Sequence, residues 1–213
     1  MSREWLKAGH KVKVVTAFPN HPTGVIPDSY RGCLYMQEEV EGIEVHRCYV
    51  YARPNVGMLG KTINHLSFMM SALFLGLPRS GKVDVVVASS PTLFSVLSAY
   101  AYCALRRIPF VFEVRDLWPA IFADLGILRN RPLLKLLEMM EMFLYRRAGR
   151  VVTVTQRFRA ILTERGVPRE KISVIPNGAD ERLFLAKPSQ NCVPAELEFR
   201  DKFVVLYLGA HGI

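Results

Sequence analysis

The sequence predicts an α/β fold, a doubly wound parallel sheet covered by helices on both faces. Three observations predict it. Short runs rich in β-branched residues, such as Lys11–Phe18, Val83–Ser89 and Arg150–Thr155, are continuous rather than alternating, the pattern of strands buried on both faces. Longer helical segments separate them, so strand and helix alternate along the chain. Proline and glycine punctuate most of the junctions.

The elements follow in order. Met1–Ala8 reads as the tail of a helix, with Gly9 as its stop. Lys11–Phe18 is a strand, followed by a long loop through Gly32 that holds three prolines. Gly42–Ala52 is the next strand, Thr62–Leu77 a helix, and Val83–Ser89 a continuous buried strand. Ser90 and Pro91 suit the cap and first turn of a helix through Leu105. Ile108–Val114 is a strand, and Asn130 caps the helix Arg131–Ala148, whose last turn carries Arg146 and Arg147 where the helix dipole favours cations. That helix is apolar almost all round, which predicts burial. A strand over Arg150–Thr155, a short helix ending near Gly166 and a strand from Ile172 complete the domain. The expected organisation is a domain over residues 1–185, a linker over 186–202 with Pro188 and Ser189, and the first strand of another domain over 203–213. A β-α-β domain normally opens on a strand, so this chain reads as truncated at both ends.

Of the 213 residues, 50% are hydrophobic, which suffices for a real core. The net charge of +9 favours anionic partners such as phosphate-bearing substrates or acidic lipid. Nucleic acid is disfavoured, because the basic residues are spread over helices with no helix-turn-helix, RNP-type or zinc signature. Cys33, Cys48, Cys103 and Cys192 are scattered, without C-x-x-C spacing, which argues against a disulfide framework and suits a reducing cytosol. No His/Cys/Asp cluster has metal-ligand spacing, so no metal is expected. The apolar tracts Ser67–Leu77 and Leu93–Leu105 fall short of the roughly 20 residues a membrane-spanning helix needs.

In open α/β sheets, ligands bind beyond the carboxyl ends of the strands. Asn20 and His21 follow the first strand, Ser89 to Thr92 the third, and Glu113, Arg115 and Asp116 the fourth. Thr153 and Thr155 follow the fifth, and Asn177 and Gly178 the last. A core strand that ends in three charged residues and then Trp118–Pro119 suits a strand tip meeting a cleft. Each residue also has a plainer role. His21 can be a structural loop residue, Glu113 or Asp116 can simply pair with Arg115, Trp118 can pack the core, and Asn177–Gly178 can form a tight turn.

Glu113–Pro119 (EVRDLWP) and Val174–Phe184 (VIPNGADERLF) together resemble the N-terminal half of family 4 glycosyltransferases, which are retaining nucleotide-sugar enzymes of the GT-B type. Thr16–Gly24, Ala88–Phe94 and Arg147–Thr155 fit the same pattern, which is most similar to bacterial transferases of surface polysaccharide. The resemblance implies a Rossmann-like domain that receives the acceptor and faces a second domain holding most of the donor. It implies Arg115 and Asp116 as catalytic residues, with Asn20, His21, Glu113, Trp118 and Asn177 binding substrate. Gly209 and Gly212 would belong to a backbone loop near the donor phosphates. No cofactor is implied beyond the donor itself, a UDP-sugar by this reading. The acceptor would be a lipid-linked saccharide, met at the inner face of the cell membrane by a cytoplasmic, peripheral enzyme. By the same resemblance the basic pair that grips the diphosphate lies in the further domain, so this chain alone is expected to be inactive. A different class, a non-catalytic domain that docks a glycan or a protein, uses the same strand tips.

Overall fold

A computed structural model describes residues 1–54, 57–90, 92–119, 126, 128 and 130–178. The chain divides into two compact units, Met1–Pro176 and Asn177–Ile213. Of the second unit only Asn177 and Gly178 are described, and both are exposed.

The first unit holds two sheets. Helix α1 (Ser2–Lys7) stops at Gly9, whose φ of +86° is the left-handed conformation glycine tolerates. Strand β1 (Lys13–Ala17) pairs in parallel with β3 (Ile43–Cys48), and β2 (Tyr35–Val40) pairs antiparallel with the other edge of β3. Strand β2 lies between the predicted loop, which ends at Gly32, and the predicted strand from Gly42, in a stretch where the sequence predicts no element. Its residues, YMQEEV, are too polar to read as a buried strand. The sign of it was the turn: Glu41 and Gly42 both have positive φ, 54° and 79°, as a two-residue hairpin turn of the I′ class requires. Tyr35 is further tied to β3 by a 2.8 Å hydrogen bond between its hydroxyl and His46 Nδ1.

Helix α2 (Met58–Ser71) is stitched to the chain beyond β3. Ser67 Oγ accepts from the Tyr51 amide at 2.8 Å, and Asn64 Nδ2 donates to the Tyr51 carbonyl at 2.8 Å. The helix continues through a π turn (Ala72–Gly76) into α3 (Leu77–Arg79). The π turn presses on the first sheet: a Cβ on Gly76 would sit 2.5 Å from Cys48 Sγ and 2.6 Å from Val15 Cγ1. Only glycine permits that approach.

The second sheet has the order β4 (Val86–Ser89), β5 (Phe110–Val114), β6 (Arg150–Thr153) and β7 (Ile172–Val174), all parallel. Helices α4 (Leu93–Arg106), α5 (Arg131–Arg147) and α6 (Gln156–Glu164) connect them. This is the Rossmann-like α/β arrangement the sequence predicts. Asn130 caps α5 as expected, its side chain accepting from the Leu133 amide at 3.0 Å. The main core gathers here, with Val96 and Tyr102 of α4, Phe110, Phe112 and Val114 of β5, Leu144 and Tyr145 of α5, Val151 of β6 and Leu162 of α6 all buried. Phe112 and Tyr145 stack at 5.0 Å between ring centroids.

Three expectations are corrected. Val83–Ser89 is not a continuous buried strand. The strand starts at Val86, and Val85 and Val87 are 49% and 38% exposed, because β4 lies at a sheet edge with β5 on one side only. Helix α5 is not buried all round. Leu133, Leu136, Met139 and Phe143 are exposed, since its packed side is set by Leu137, Glu141, Leu144 and Tyr145. Ser90 does not cap α4, whose N-cap is Thr92. The Ser90 hydroxyl is engaged elsewhere.

Candidate active site

The register of the parallel sheet brings three strand tips level. Ser89 of β4 pairs with Glu113 of β5, and Val114 of β5 pairs with Thr153 of β6. The carboxyl ends of β4, β5 and β6 thus form one rim. The ladder runs one step further, where the Ser90 amide donates to the Glu113 carbonyl at 2.9 Å.

On this rim a serine pair shapes the loop after β5. Ser90 is buried, and its Oγ accepts from the backbone amides of Arg115 at 2.8 Å and Asp116 at 3.1 Å. Two successive amides converging on one oxygen hold the chain where it leaves the strand, which fixes the base from which both charged side chains project. Ser89 Oγ donates to Glu113 Oε2. Glu113 is buried, at 6% exposure, so this bond satisfies a carboxylate that water reaches poorly. Arg115 is exposed and Asp116 half-buried. A buried carboxylate, a fixed backbone turn and an exposed guanidinium thus occupy four consecutive positions.

Trp118 packs. Its ring meets Phe94 of α4 edge-on at 6.4 Å and lies against the main core, while Pro119 behind it is buried. The loop that carries Arg115 and Asp116 is therefore pinned at one end by Ser90 and at the other by Trp118 and Pro119.

Asn20 sits in the loop after β1. Its Nδ2 donates to the Phe18 carbonyl at 2.8 Å and its carbonyl accepts from the Gly24 amide at 2.6 Å, so it closes its own turn. Gly24 (φ +72°) lies so near the chain at Arg53 that a Cβ there would be 2.6 Å from the Arg53 carbonyl oxygen. Asn20 and Ser89 line one cavity of about 1450 Å³, together with Thr92 and His65. Burial, and then the nearby Lys61 charge, lower the His65 pKa below the usual imidazole value. His21 is exposed beside Asn20. Asn177 falls in the second unit, and Gly209 and Gly212 lie outside the described residues.

The structure thus joins Glu113, Arg115 and Asp116 through Ser89 and Ser90, and sets Asn20 on a cavity that Ser89 shares. The two serines were legible as polar strand-tip residues, but not as the groups that organise the loop. The sign available was their position: two hydroxyls at the end of a strand whose neighbour ends in charge. Among the described residues no group of three or more His, Cys, Asp or Glu is placed to hold a metal ion.

Residues 1–178 match the family described as Glycosyl transferase 4-like domain. The chain is also 27% identical over 219 aligned residues to an Escherichia coli (strain K12) protein, WcaI, whose name makes it a colanic acid biosynthesis glycosyl transferase. That alignment covers 98% of this chain and 53% of the relative, so the chain spans about half the relative's length. With the larger part of its length matched, and its parallel sheet and rim as described, the chain belongs to the glycosyl transferase 4-like domain family.

Proposed function

We propose that this chain is the acceptor-side half of a retaining hexosyltransferase that moves a sugar from a nucleotide-sugar donor, a UDP-sugar, to a lipid-linked saccharide in bacterial surface-polysaccharide synthesis. The observation that carries the reading is the rim itself: Ser90 holding the Arg115 and Asp116 amides beside the buried Ser89–Glu113 pair. Such a rim, at the carboxyl ends of parallel strands, is where this architecture handles ligands.

In the reaction the bond between the sugar C1 and the diphosphate oxygen breaks, and its electron pair leaves with the diphosphate. The acceptor hydroxyl oxygen bonds to C1 on the face the diphosphate leaves, and its proton ends on the departing phosphate. Anionic charge therefore grows on the leaving group in the transition state, and a fixed cation stabilises it more there than in the ground state. Arg115 supplies the cation. Asp116 accepts a hydrogen bond from the acceptor hydroxyl and orients it, while Asn20 and His21 border the acceptor. Glu113, held by Ser89, supports the substrate-facing loop, and Trp118 forms its wall. Asn177 contacts substrate in this proposal, and a glycine loop at Gly209 and Gly212 meets the donor phosphates from a further domain.

A peripheral contact with the inner face of the cell membrane accompanies this reading, for a lipid-linked acceptor must be reached at a bilayer surface. Leu59, Ile63, Leu66, Met70 and Phe74 are all exposed along α2 and its π turn, at a spacing that keeps them on one face. The net charge of +9 adds attraction to anionic lipid. Among the described residues no helix is long and apolar enough to cross a membrane.

The test is a transfer assay with the polypeptide that joins this chain to its donor-binding half. It uses a panel of UDP-sugars, a lipid-diphosphate-linked saccharide in detergent, and NMR of the product's anomeric centre. Transfer with the donor's anomeric configuration kept supports the proposal. No transfer and no UDP release with any donor would overturn it.

A further inference from the structure

No Asp or Glu lies between Glu44 and Asp84, a stretch that runs from β3 through α2 and α3 and carries Arg47, Arg53, Lys61, Arg79 and Lys82 with His46 and His65. Some of these cations are engaged. Arg47 pairs with Glu38, His46 meets Glu44 at 2.8 Å, and Arg79 donates to the Leu75 carbonyl at 3.1 Å. Arg53, Lys61 and His65 are left over. Among the described residues their side chains make no hydrogen bond and no ion pair.

The backbone gathers these three. Tyr51, just past the carboxyl end of β3, is pinned to α2, its amide on Ser67 Oγ and its carbonyl on Asn64 Nδ2, both at 2.8 Å. Arg53 folds back over that anchor, its guanidinium carbon 5.3 Å from the Tyr51 ring centroid. His65 follows Asn64 on the helix, and Lys61 stands one turn before it. Burial lowers the His65 pKa first, and the Lys61 charge lowers it further, so the two groups share one space with no carboxylate between them. The loop that carries Asn20 reaches the same spot, since Gly24 lies against the Arg53 carbonyl. Asn20, Asn64 and His65 line one cavity with Ser89 and Thr92, residues at or just beyond the carboxyl end of β4.

The residue types suit one kind of ligand. A guanidinium fork spans two phosphoryl oxygens, an ammonium meets them as a point charge, and an imidazole N–H adds a donor. The amino end of α2, where Gly57 supplies no side-chain cap, contributes its dipole in the same sense. A neutral saccharide would give such a cluster no charge to meet. We infer that Arg53, Lys61 and His65 form a site for the diphosphate of a lipid-linked acceptor. The inference rests on the lipid-linked acceptor proposed above, and adds where its charged joint is held. That place belongs to the sheet of β1 and β3, whereas Arg115 belongs to β5, so the acceptor's diphosphate and the donor's are met by different cations. Lys61 and His65 lie on the opposite side of α2 from the exposed strip of Leu59, Ile63, Leu66 and Met70. The helix thus separates the lipid-facing strip from the anion site.

The experiment titrates the 213-residue chain with farnesyl diphosphate, a soluble prenyl diphosphate, and reads calorimetric heat and the His65 imidazole NMR signal, assigned with His65→Gln. Saturable binding that inorganic pyrophosphate competes away, with a moving His65 signal, is expected. Arg53→Gln with Lys61→Gln should weaken it by about tenfold or more at an unchanged melting temperature, because both side chains are exposed. Arg146→Gln with Arg147→Gln removes the same charge from the end of α5 and should weaken it by no more than about twofold. Flotation with phosphatidylglycerol vesicles separates a lipid headgroup from a diphosphate, and the two double variants should change it alike. Lack of saturation, a still His65 signal, equal weakening by both double variants, or a loss confined to vesicle binding overturns the inference. The readout is binding, so a failed transfer assay strikes the transferase reading and a failed titration strikes this site alone.

Discussion

In the four-stranded sheet, β5 and β6 are paired on both sides, while in the three-stranded sheet only β3 is. The difference follows from connection. Helices α4, α5 and α6 carry β4 to β7 as successive parallel neighbours, and their apolar faces close the main core around Phe112 and Val151. Strands β1, β2 and β3 are held by a tight hairpin, by one parallel pair and by the π turn, whose Gly76 presses on Cys48 and Val15. The rim with Arg115 and Asp116 grows from the better-paired sheet. A loop that must hold charge in a fixed direction is supported there by two neighbouring strands, a serine bond and a packed tryptophan.

That contrast can be broken by substitution. Phe112→Ala empties a site at the centre of the paired sheet, 2% exposed, and is expected to cost about 3–5 kcal/mol in urea denaturation. Ile43→Val in β3, 8% exposed, is expected to cost only about 0.5–1.5 kcal/mol. The comparison is sharpened by removing the same atoms from each sheet: Val151→Ala in β6 is expected to cost more than Val45→Ala in β3, and equal losses would dissolve the distinction.

The paired side also holds a buried charge. Glu141 of α5 is 1% exposed, accepts from the Tyr145 hydroxyl at 2.6 Å and lies 3.3 Å from Arg165. Burial pushes its carboxyl from 4.5 up to about 7, against the pull of Tyr145 and Arg165. The folded state therefore binds the proton more tightly than the unfolded one. The resulting stability is complete below pH 4.5 and is lost as pH rises to about 7, a change on the order of 3 kcal/mol. Thermal melts across that window check it, and Glu141→Gln should remove this component of the slope.

Ser90→Ala leaves the Arg115 and Asp116 amides without their acceptor and is expected to cost about 1–3 kcal/mol. Calorimetry reads the stability, and turnover should fall with it because the loop loses its hold. The smallest effect concerns the outer face of α2. Leu59→Glu with Phe74→Glu is expected to weaken flotation with phosphatidylglycerol vesicles while leaving the melting temperature nearly unchanged, since both side chains are exposed at 75% and 61%.

Much of this was legible in the sequence, for physical reasons that differ by element. Strands β5 and β6 read correctly because strands buried on both faces are continuous in composition. Asn130 read correctly because its cap is local, a bond to an amide three residues on. Strand β2 was missed because it is an edge strand, paired with β3 on one side only, where polar residues suffice. The exposure of Val85 and Val87 could not be read, for composition tells what a strand is suited to, not whether a neighbour stands beside it. Glu113, Arg115 and Asp116 stand out in the sequence because charge at the end of a buried strand needs a reason, and the structure places them at one strand tip. Ser90 was misassigned because a serine before a helix has a ready local use, and its actual partners lie about 25 positions along the chain.

The most direct measurement is the turnover of Arg115→Ala in a transfer-active polypeptide that contains this chain, read beside its melting temperature. Arg115 is exposed, so folding should be preserved, while the role proposed for its cation predicts that kcat falls by about 100-fold or more. Unchanged kcat in a folded variant would contradict the role assigned to the rim.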